Sequence, residues 1–299
     1  YVYLDKVPNH AIINEAVEIA KHRGGPHNGN IVNAILRQIM RSDLPNVDDI
    51  TDEKKRMSIA YSLPKWIVDH WVTHYGLAQT HRIGQALLTP TETTVRANIV
   101  KASINDIIDA LEQDGYTVTK DSDILSCLHI QGRPVIEARA FKEGLISIQD
   151  KSSMFVAQLA NLQAHDKVLD ACSAPGGKAC HMAEILAPTG SVDATDIHAH
   201  KINLIKYNIK KLGLNNVHAF QHDATQPYTE MYDKILVDAP CSGLGVLRHK
   251  PEIKYTQSKE GTQALVDLQL NILNNVRHHL KPGGTIIYST CTIEQLENE

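Results

Sequence analysis

The sequence predicts an α/β chain built around a doubly wound, mostly parallel sheet. Two observations carry this. From about residue 147, short apolar strands alternate with helical stretches of ten or more residues, the pattern of βαβ units. Strand after strand also ends in an acidic or thiol residue just before a turn, which is where ligands sit in such sheets.

The strands are expected at 167–172 (KVLDAC), 191–197, 217–221, 234–239 (KILVDA) and 285–289. Helices are expected at 177–186, from about 198 to Leu212, and at 262–280, where Leu265, Leu268, Ile272 and Val276 share a face. Pro282-Gly283-Gly284 is read as the end of the last helix. The chain stops ten residues after the fifth strand, so a sheet lacking its last strands is expected.

The texture differs upstream. Over 93–146 the reading is a small α+β module, with strands at 93–99, 116–119, 126–130 and 134–138 and a helix at 104–113. Residues 42–50 (SDLPNVDDI) form a polar connector, followed by short helices. One of these is expected to be capped by Ser62 and to present Ile67, Trp71 and Tyr75 before Gly76. Over 1–42 the pattern is helical: Asn9 is a candidate cap, and Ile12, Ala16, Ile19 and Ala20 lie on one face. Gly24-Gly25 is a stop, and Ile31, Val32, Ile35, Leu36 and Ile39 form a second helix. Three segments follow: 1–42, 43–146 and 147–299.

The 299 residues are 42% hydrophobic and 21% charged, an ordinary globular profile. No apolar run approaches the ~18 residues of a membrane span, and no basic-then-apolar leader is visible. The first residue is Tyr1, so a fragment is expected. Five cysteines without CxxC spacing argue against a disulfide framework or structural zinc. The net charge of −4 means that any nucleic-acid contact must use local basic patches. Arg248, His249, Lys250 and Lys254 form one such patch, read as phosphate contacts. Lys201, Lys206, Lys210 and Lys211 are read as a solvated helix face. Sixteen histidines show no convincing ligand set, so no metal is expected.

The loop Cys172-Ser173-Ala174-Pro175-Gly176-Gly177-Lys178 after the first strand is neither a GxGxxG dinucleotide loop nor a phosphate-cradling P-loop. It suits a nucleoside ligand without a pyrophosphate, though an ordinary strand-to-helix turn reads the same way. Asp196, ending the second strand, is placed to accept both hydroxyls of a ribose. Asp223 could accept from the exocyclic amine of adenine. Either alone is more simply a turn residue.

The fourth strand ends in Asp238-Ala239-Pro240-Cys241 and the fifth in Ser289-Thr290-Cys291-Thr292. If the two are neighbours, their ends lie about 4.8 Å apart laterally, and two thiols converge beside a carboxylate. Cys127 and Cys180 are read as core residues. A thiol, a carboxylate and a nucleoside-type cofactor suit alkylation at C5 of a pyrimidine. Thiolate addition to C6 makes C5 nucleophilic, C5 takes the methyl group, a base removes the C5 proton and the thiol leaves. An Asp reading N3 and the 4-amino group would select cytosine, and the base must leave its stack.

DACSAPGGK (170–178), DAPCSGLG (238–245) and STCT (289–292) resemble the Sun/NOL1/NOP2 family of RNA cytosine-5 methyltransferases. The likeness covers roughly 90–299. VPNHAIINEAVEIAK (7–21) and IVNAILR (31–37) are similar to the end of a NusB-like helical domain, and TTVRANI (93–99) to a small RRM-like module. The combination points to the bacterial 16S rRNA methyltransferase B branch.

The resemblance implies a Rossmann-like sheet using S-adenosyl-L-methionine, acting on 16S ribosomal RNA, naked or partly assembled, as a cytoplasmic monomer. By motif position it makes Cys291 the nucleophile and gives Cys241 the breakdown of the adduct. Asp238 would contact the cytosine edge near the methyl donor. Residues Cys172 to Lys178, with Asp196 and Asp223, would hold the cofactor, and Lys178 would also face the base. The alternatives are a DNA cytosine-5 methyltransferase, which would attack through Cys241, and a non-catalytic RNA-binding factor. An amino-group methyltransferase is disfavoured by DAPC in place of an NPP[YF]-type loop.

Overall fold

The computed structural model describes residues 7–42 and 46–299, with the side chain of Lys259 left aside. Tyr1 and part of the connector expected over 42–50 lie outside the described residues. The chain divides into two compact units, Tyr1–His81 and Arg82–Glu299.

The first unit is helical. α1 (Asn9–Arg41) is broken at Gly25, whose φ of 79° and ψ of 176° no helix tolerates; Pro26 then restarts it. Asn9 is not the cap: Pro8, extended at ψ 135°, holds that place, and its carbonyl accepts from Ala11 and Ile12. Of the first apolar face, Ile12, Ala16 and Ala20 are half-buried and Ile19 is exposed, whereas the buried residue is their neighbour Ile13. α2 (Glu53–Ala60) is capped by Asp52, which accepts from the Lys55 N–H. α3 (Lys65–Leu88) is not capped by Ser62, which takes a left-handed φ of 54°. The chain enters this helix at Pro64, whose carbonyl accepts from Ile67 and Val68. Met57, Ile67, Val68 and Trp71 are fully buried.

The second unit holds two sheets. The first is antiparallel, of β1 (Thr93–Ala97), β2 (Thr117–Lys120), β3 (Cys127–Gln131) and β4 (Ile146–Ile148), in the order β2-β3-β1-β4. α4 (Ile104–Gln113) begins at Ser103, which accepts from the Asp106 N–H, and buries Ile107 and Leu111. The strand expected at 134–138 is a 3-10 turn over Val135–Glu137. Pro134 has no N–H to give a ladder, and the edge position beside β1 goes to the three residues of β4. α5 (Arg139–Lys142) links them.

α6 (Lys151–Leu159) leads into the second sheet. Its strands are β5 (Lys167–Asp170), β6 (Ser191–Asp196), β7 (Val217–Gln221), β8 (Tyr232–Asp238) and β9 (Leu280–Ser289). All pairs are parallel, in the order β7-β6-β5-β8-β9. The order reverses between β5 and β8, the switch point at which such sheets bind ligands.

Alternating residues face opposite layers. Val168, Val192, Ala194 and Leu236 pack on α6, α7 (Gly177–Leu186) and α8 (Ala199–Leu212). Leu169, Ile235 and Val237 pack on Ile272 and Val276 of α10 (Lys259–Val276); a short α9 (Ile253–Thr256) precedes that helix. Pro282-Gly283-Gly284 does not end α10. That helix stops at Val276 and β9 begins at Leu280. The Pro-Gly-Gly stretch accommodates the register shift between the pairs Tyr232–Leu280 and Lys234–Thr285.

Candidate active site

β5 runs into a turn that closes on α7. Gly176 sits there at φ 98°, and a Cβ on it would meet Ile205 Cγ2 at 3.1 Å, so both backbone and space call for glycine. Asp196 and Asp223 follow β6 and β7. Asp196 Oδ1 accepts from the His198 N–H at 2.9 Å. Asp223 Oδ1 accepts from the Thr225 N–H and hydroxyl, which hold its carboxyl below the usual range.

β8 and β9 are neighbours, with Asp238 directly opposite Ser289. Asp238 is held at both oxygens: Lys178 Nζ donates to one at 2.6 Å and Ser289 Oγ to the other at 2.7 Å. Beyond the strand ends, Cys241 Sγ and Cys291 Sγ lie 3.3 Å apart, and the Cys291 N–H also approaches Cys241 Sγ at 3.3 Å. The Cys241 S–H donated to Cys291, with Lys178 and Lys250 nearby, lowers the Cys291 thiol to about 7 against burial and Asp238. Cys241 is pushed up by sharing that bond and by burial.

One cleft of about 360 Å³ gathers Cys172, Ala174, Asp196, Lys201, Asp223, Asp238, Cys241 and Cys291 with the apolar Ile197, Pro240, Leu268 and Ile272. This is within the size range of small-molecule sites. A smaller cleft of about 210 Å³ is lined by Ser152, Ser153, Lys178, Ser289, Thr290, Cys291 and Thr292. Cys291 lines both. Ser173, Pro175, Gly176 and Gly177 shape the turn without lining the larger cleft. Burial, with Asp170 beside it, pushes the Cys172 thiol up to about 12, so it is no nucleophile at neutral pH. Cys127 and Cys180 are buried in the cores.

The basic patch divides. The Arg248 Nε and Nη2 both donate to the Ala86 carbonyl, and Nη2 also reaches the Thr89 hydroxyl at 2.7 Å. These bonds fix the guanidinium through Nε and Nη2 and leave its Nη1 side outside them. Lys250 lies close enough to act on Cys291, and the Lys254 ammonium lies over the Tyr255 ring at 5.1 Å.

Several residues were not legible as site residues. Ser289 became one only through the β8–β9 register. Arg96 on β1 is fully buried, forks onto Glu184 and donates to the Gly177 carbonyl at 2.8 Å, bracing the turn from the antiparallel sheet. Away from the cleft, Asp121, Cys127 and His129 bring ligand-type atoms within 4.8 Å of one another. The Lys151 ammonium, 2.8 Å from Asp121, already supplies a cation there.

The family model for 16S rRNA methyltransferase RsmB/F matches residues 157–299, that for the NusB family residues 1–41, and that for the RsmF/B ferredoxin-like domain residues 63–137. The chain is 40% identical over 301 residues to the probable ribosomal RNA small subunit methyltransferase B of Bacillus subtilis, covering 99% of this chain and 67% of that one. It is 33% identical to ribosomal RNA small subunit methyltransferase B of Shewanella oneidensis, covering 99% and 68%. The chain belongs to the RsmB/F methyltransferase family.

The chain thus spans about two thirds of the length of these curated relatives. A crystal structure of a methyltransferase homolog protein from Pyrococcus horikoshii superimposes with a TM-score of 0.73 at 26% identity, covering 83% of this chain and 80% of that one.

As an RsmB/F methyltransferase the chain uses S-adenosyl-L-methionine, and its residues fit that group. The Ser173 hydroxyl and the Asp170 carboxylate are buried in the turn without a well-formed hydrogen bond, which buried polar groups rarely lack. Carboxylates and apolar side chains line the same cleft, as a charged nucleoside requires. Among the described residues no helix is long and apolar enough to cross a membrane.

Proposed function

We propose that this chain methylates C5 of a specific cytosine in 16S ribosomal RNA through a transient bond between Cys291 and C6 of the base. The observation that carries the reading is the pair of thiols 3.3 Å apart at adjacent strand ends, one of them lowered to about 7, beside a doubly held carboxylate.

S-adenosyl-L-methionine, when bound, supplies a methyl group on a positively charged sulfur. Asp196 would hold its ribose hydroxyls and Asp223 its exocyclic amine, with Cys172 and Ala174 lining the same cleft. The target cytosine leaves its stack and enters between Lys178, Asp238 and Cys291. Asp238 accepts from the 4-amino group. The Cys291 thiolate adds to C6, and the electron pair of the C5–C6 bond moves to C5, which takes the methyl group. Loss of the C5 proton then restores the double bond and expels Cys291. Once Cys291 is bonded to C6 it no longer accepts from Cys241, which releases its own proton to water; the Cys241 thiolate then takes the C5 proton and Cys291 leaves as the thiolate. Lys250 and Lys254 contact phosphates outside the cleft.

RNA carrying 5-azacytosine tests this. The wild-type chain should form a covalent adduct, Cys291→Ala should form none, and Cys241→Ala should accumulate adduct even on ordinary RNA. Exchanged behaviour of the two variants would assign the attack to Cys241, the arrangement expected of a DNA cytosine-5 methyltransferase.

A further inference from the structure

We propose that Glu297 is a positioning residue that holds the two thiols in register by clamping the turns that follow them. The inference rests on Cys291 as the nucleophile.

Glu297 lies six residues beyond Cys291, lines neither cleft and is 3% exposed. Its Oε2 accepts from the Ser242 N–H and from Gln269 Nε2, both at 2.9 Å, and its Oε1 accepts from the Ser242 hydroxyl. Ser242 directly follows Cys241. Its hydroxyl also meets the Thr292 hydroxyl at 2.7 Å, and Thr292 directly follows Cys291. Gln269 Nε2 also donates to the Pro240 carbonyl at 2.9 Å, on the other side of Cys241. The Tyr288 hydroxyl anchors the clamp itself by donating to the Glu297 carbonyl at 2.8 Å.

One carboxylate therefore reaches the backbone beside Cys241 and, through a single hydroxyl, the residue beside Cys291. Besides this clamp, weak contacts to sulfur and the Gly245 N–H donated to the Cys291 carbonyl at 3.0 Å join the two turns, and at the strand ends the Ala239 N–H is donated to the Ser289 carbonyl at 2.8 Å. A buried carboxylate is costly unless its oxygens are filled. Here both are filled by donors from the Cys241 turn and from α10. The arrangement exchanges that desolvation cost for a fixed separation of the two thiols.

The test is the pH dependence of iodoacetamide alkylation of Cys291, followed on its own peptide, alongside methylation kinetics. The groups facing Cys291 are the Cys241 S–H, Asp238, Lys178 and Lys250. In the wild type the alkylation midpoint should lie near 7. In Glu297→Ala it should rise by about one pH unit as the Cys241 S–H drifts from its partner. The kcat should fall about tenfold with the KM for RNA little changed, because geometry and not binding is lost. Glu297→Gln should behave as wild type: its carbonyl serves the Ser242 N–H and Gln269, and its NH2 donates to the Ser242 hydroxyl. Ser242→Ala, which keeps the carboxylate and breaks the link to Thr292, should move the midpoint in the same direction as Glu297→Ala; it carries the test if Glu297→Ala does not fold.

A folded Glu297→Ala or Ser242→Ala chain with an unmoved midpoint and unchanged kcat overturns the proposal. So does a Glu297→Gln chain as impaired as Glu297→Ala. Alkylation needs no RNA, so these outcomes are independent of the adduct trap. Failure of the wild type to form an adduct would instead remove the nucleophile reading.

Discussion

Lys178 Nζ stands 2.6 Å from Asp238 Oδ2, while Ser289 donates to Oδ1 at 2.7 Å, so the carboxylate proposed to meet the base is fixed from both sides. Lys178 comes from the first turn of α7, Asp238 from the end of β8 and Ser289 from the end of β9. Lys178→Met keeps most of the packing volume and removes the charge. The prediction is a fall in single-turnover methylation of about a hundredfold, the usual scale for losing one preorganised polar group. An unchanged rate would exclude the pair from the chemistry.

Cys241 should govern when Cys291 ionises. The thiolate is the nucleophile, so reactivity at Cys291 rises as pH passes its folded value of about 7. The first cause of that low value is the S–H donated by Cys241. Cys241→Ala removes it, and the alkylation midpoint should move up towards that of an ordinary thiol. A midpoint that stays near 7 would place the cause in Lys178 and Lys250 instead.

Arg96 joins the two sheets through a buried fork. Nε and Nη2 donate to the two Glu184 oxygens at 2.9 and 2.8 Å, and both side chains are almost wholly buried. Arg96→Met leaves Glu184 as a buried charge without its partner, at a cost of about 3–5 kcal/mol. Urea denaturation should show that loss. Because Arg96 also holds the Gly177 carbonyl at 2.8 Å, cofactor affinity should weaken in the folded fraction.

Asp170 predicts a stability slope. Burial, reinforced by the charge of Asp238, pushes its folded carboxyl up to about 7 from an ordinary 3.8. Between those values the unfolded chain has lost this proton and the folded chain keeps it. The group therefore costs the fold stability as pH rises through that window, by up to about 1.4 kcal/mol per pH unit. Asp170→Asn should remove this slope. Urea melts at pH 4.5 and 7.5, read as differences between the two proteins, check it; parallel curves would mean that Asp170 ionises normally in the fold.

The parallel sheet was readable because its signals are local. KVLDAC and KILVDA are short apolar runs closed by acidic residues, and burial on both faces demands such runs. The β8–β9 adjacency, on which the convergence of Cys241 and Cys291 depends, is only a condition in the sequence and is met in the register. Signals shorter than a turn misled. Ser62 and Asn9 have the chemistry of caps, yet neighbouring prolines set where the helices begin. β4 has three residues, too few to show alternation. The bond from Arg248 to Ala86 was illegible because nothing in its neighbourhood along the chain announces a partner 162 residues away. Glu297 was illegible for the same reason: its partners Ser242 and Gln269 are 55 and 28 residues distant.

The most direct measurement is to digest the complex trapped on RNA carrying 5-azacytosine and find by mass spectrometry which peptide bears the nucleotide. The account predicts the nucleotide on the sulfur of Cys291, with Cys241 unmodified. A nucleotide on Cys241, or no cross-linked peptide at all from a chain that methylates its RNA, would contradict it.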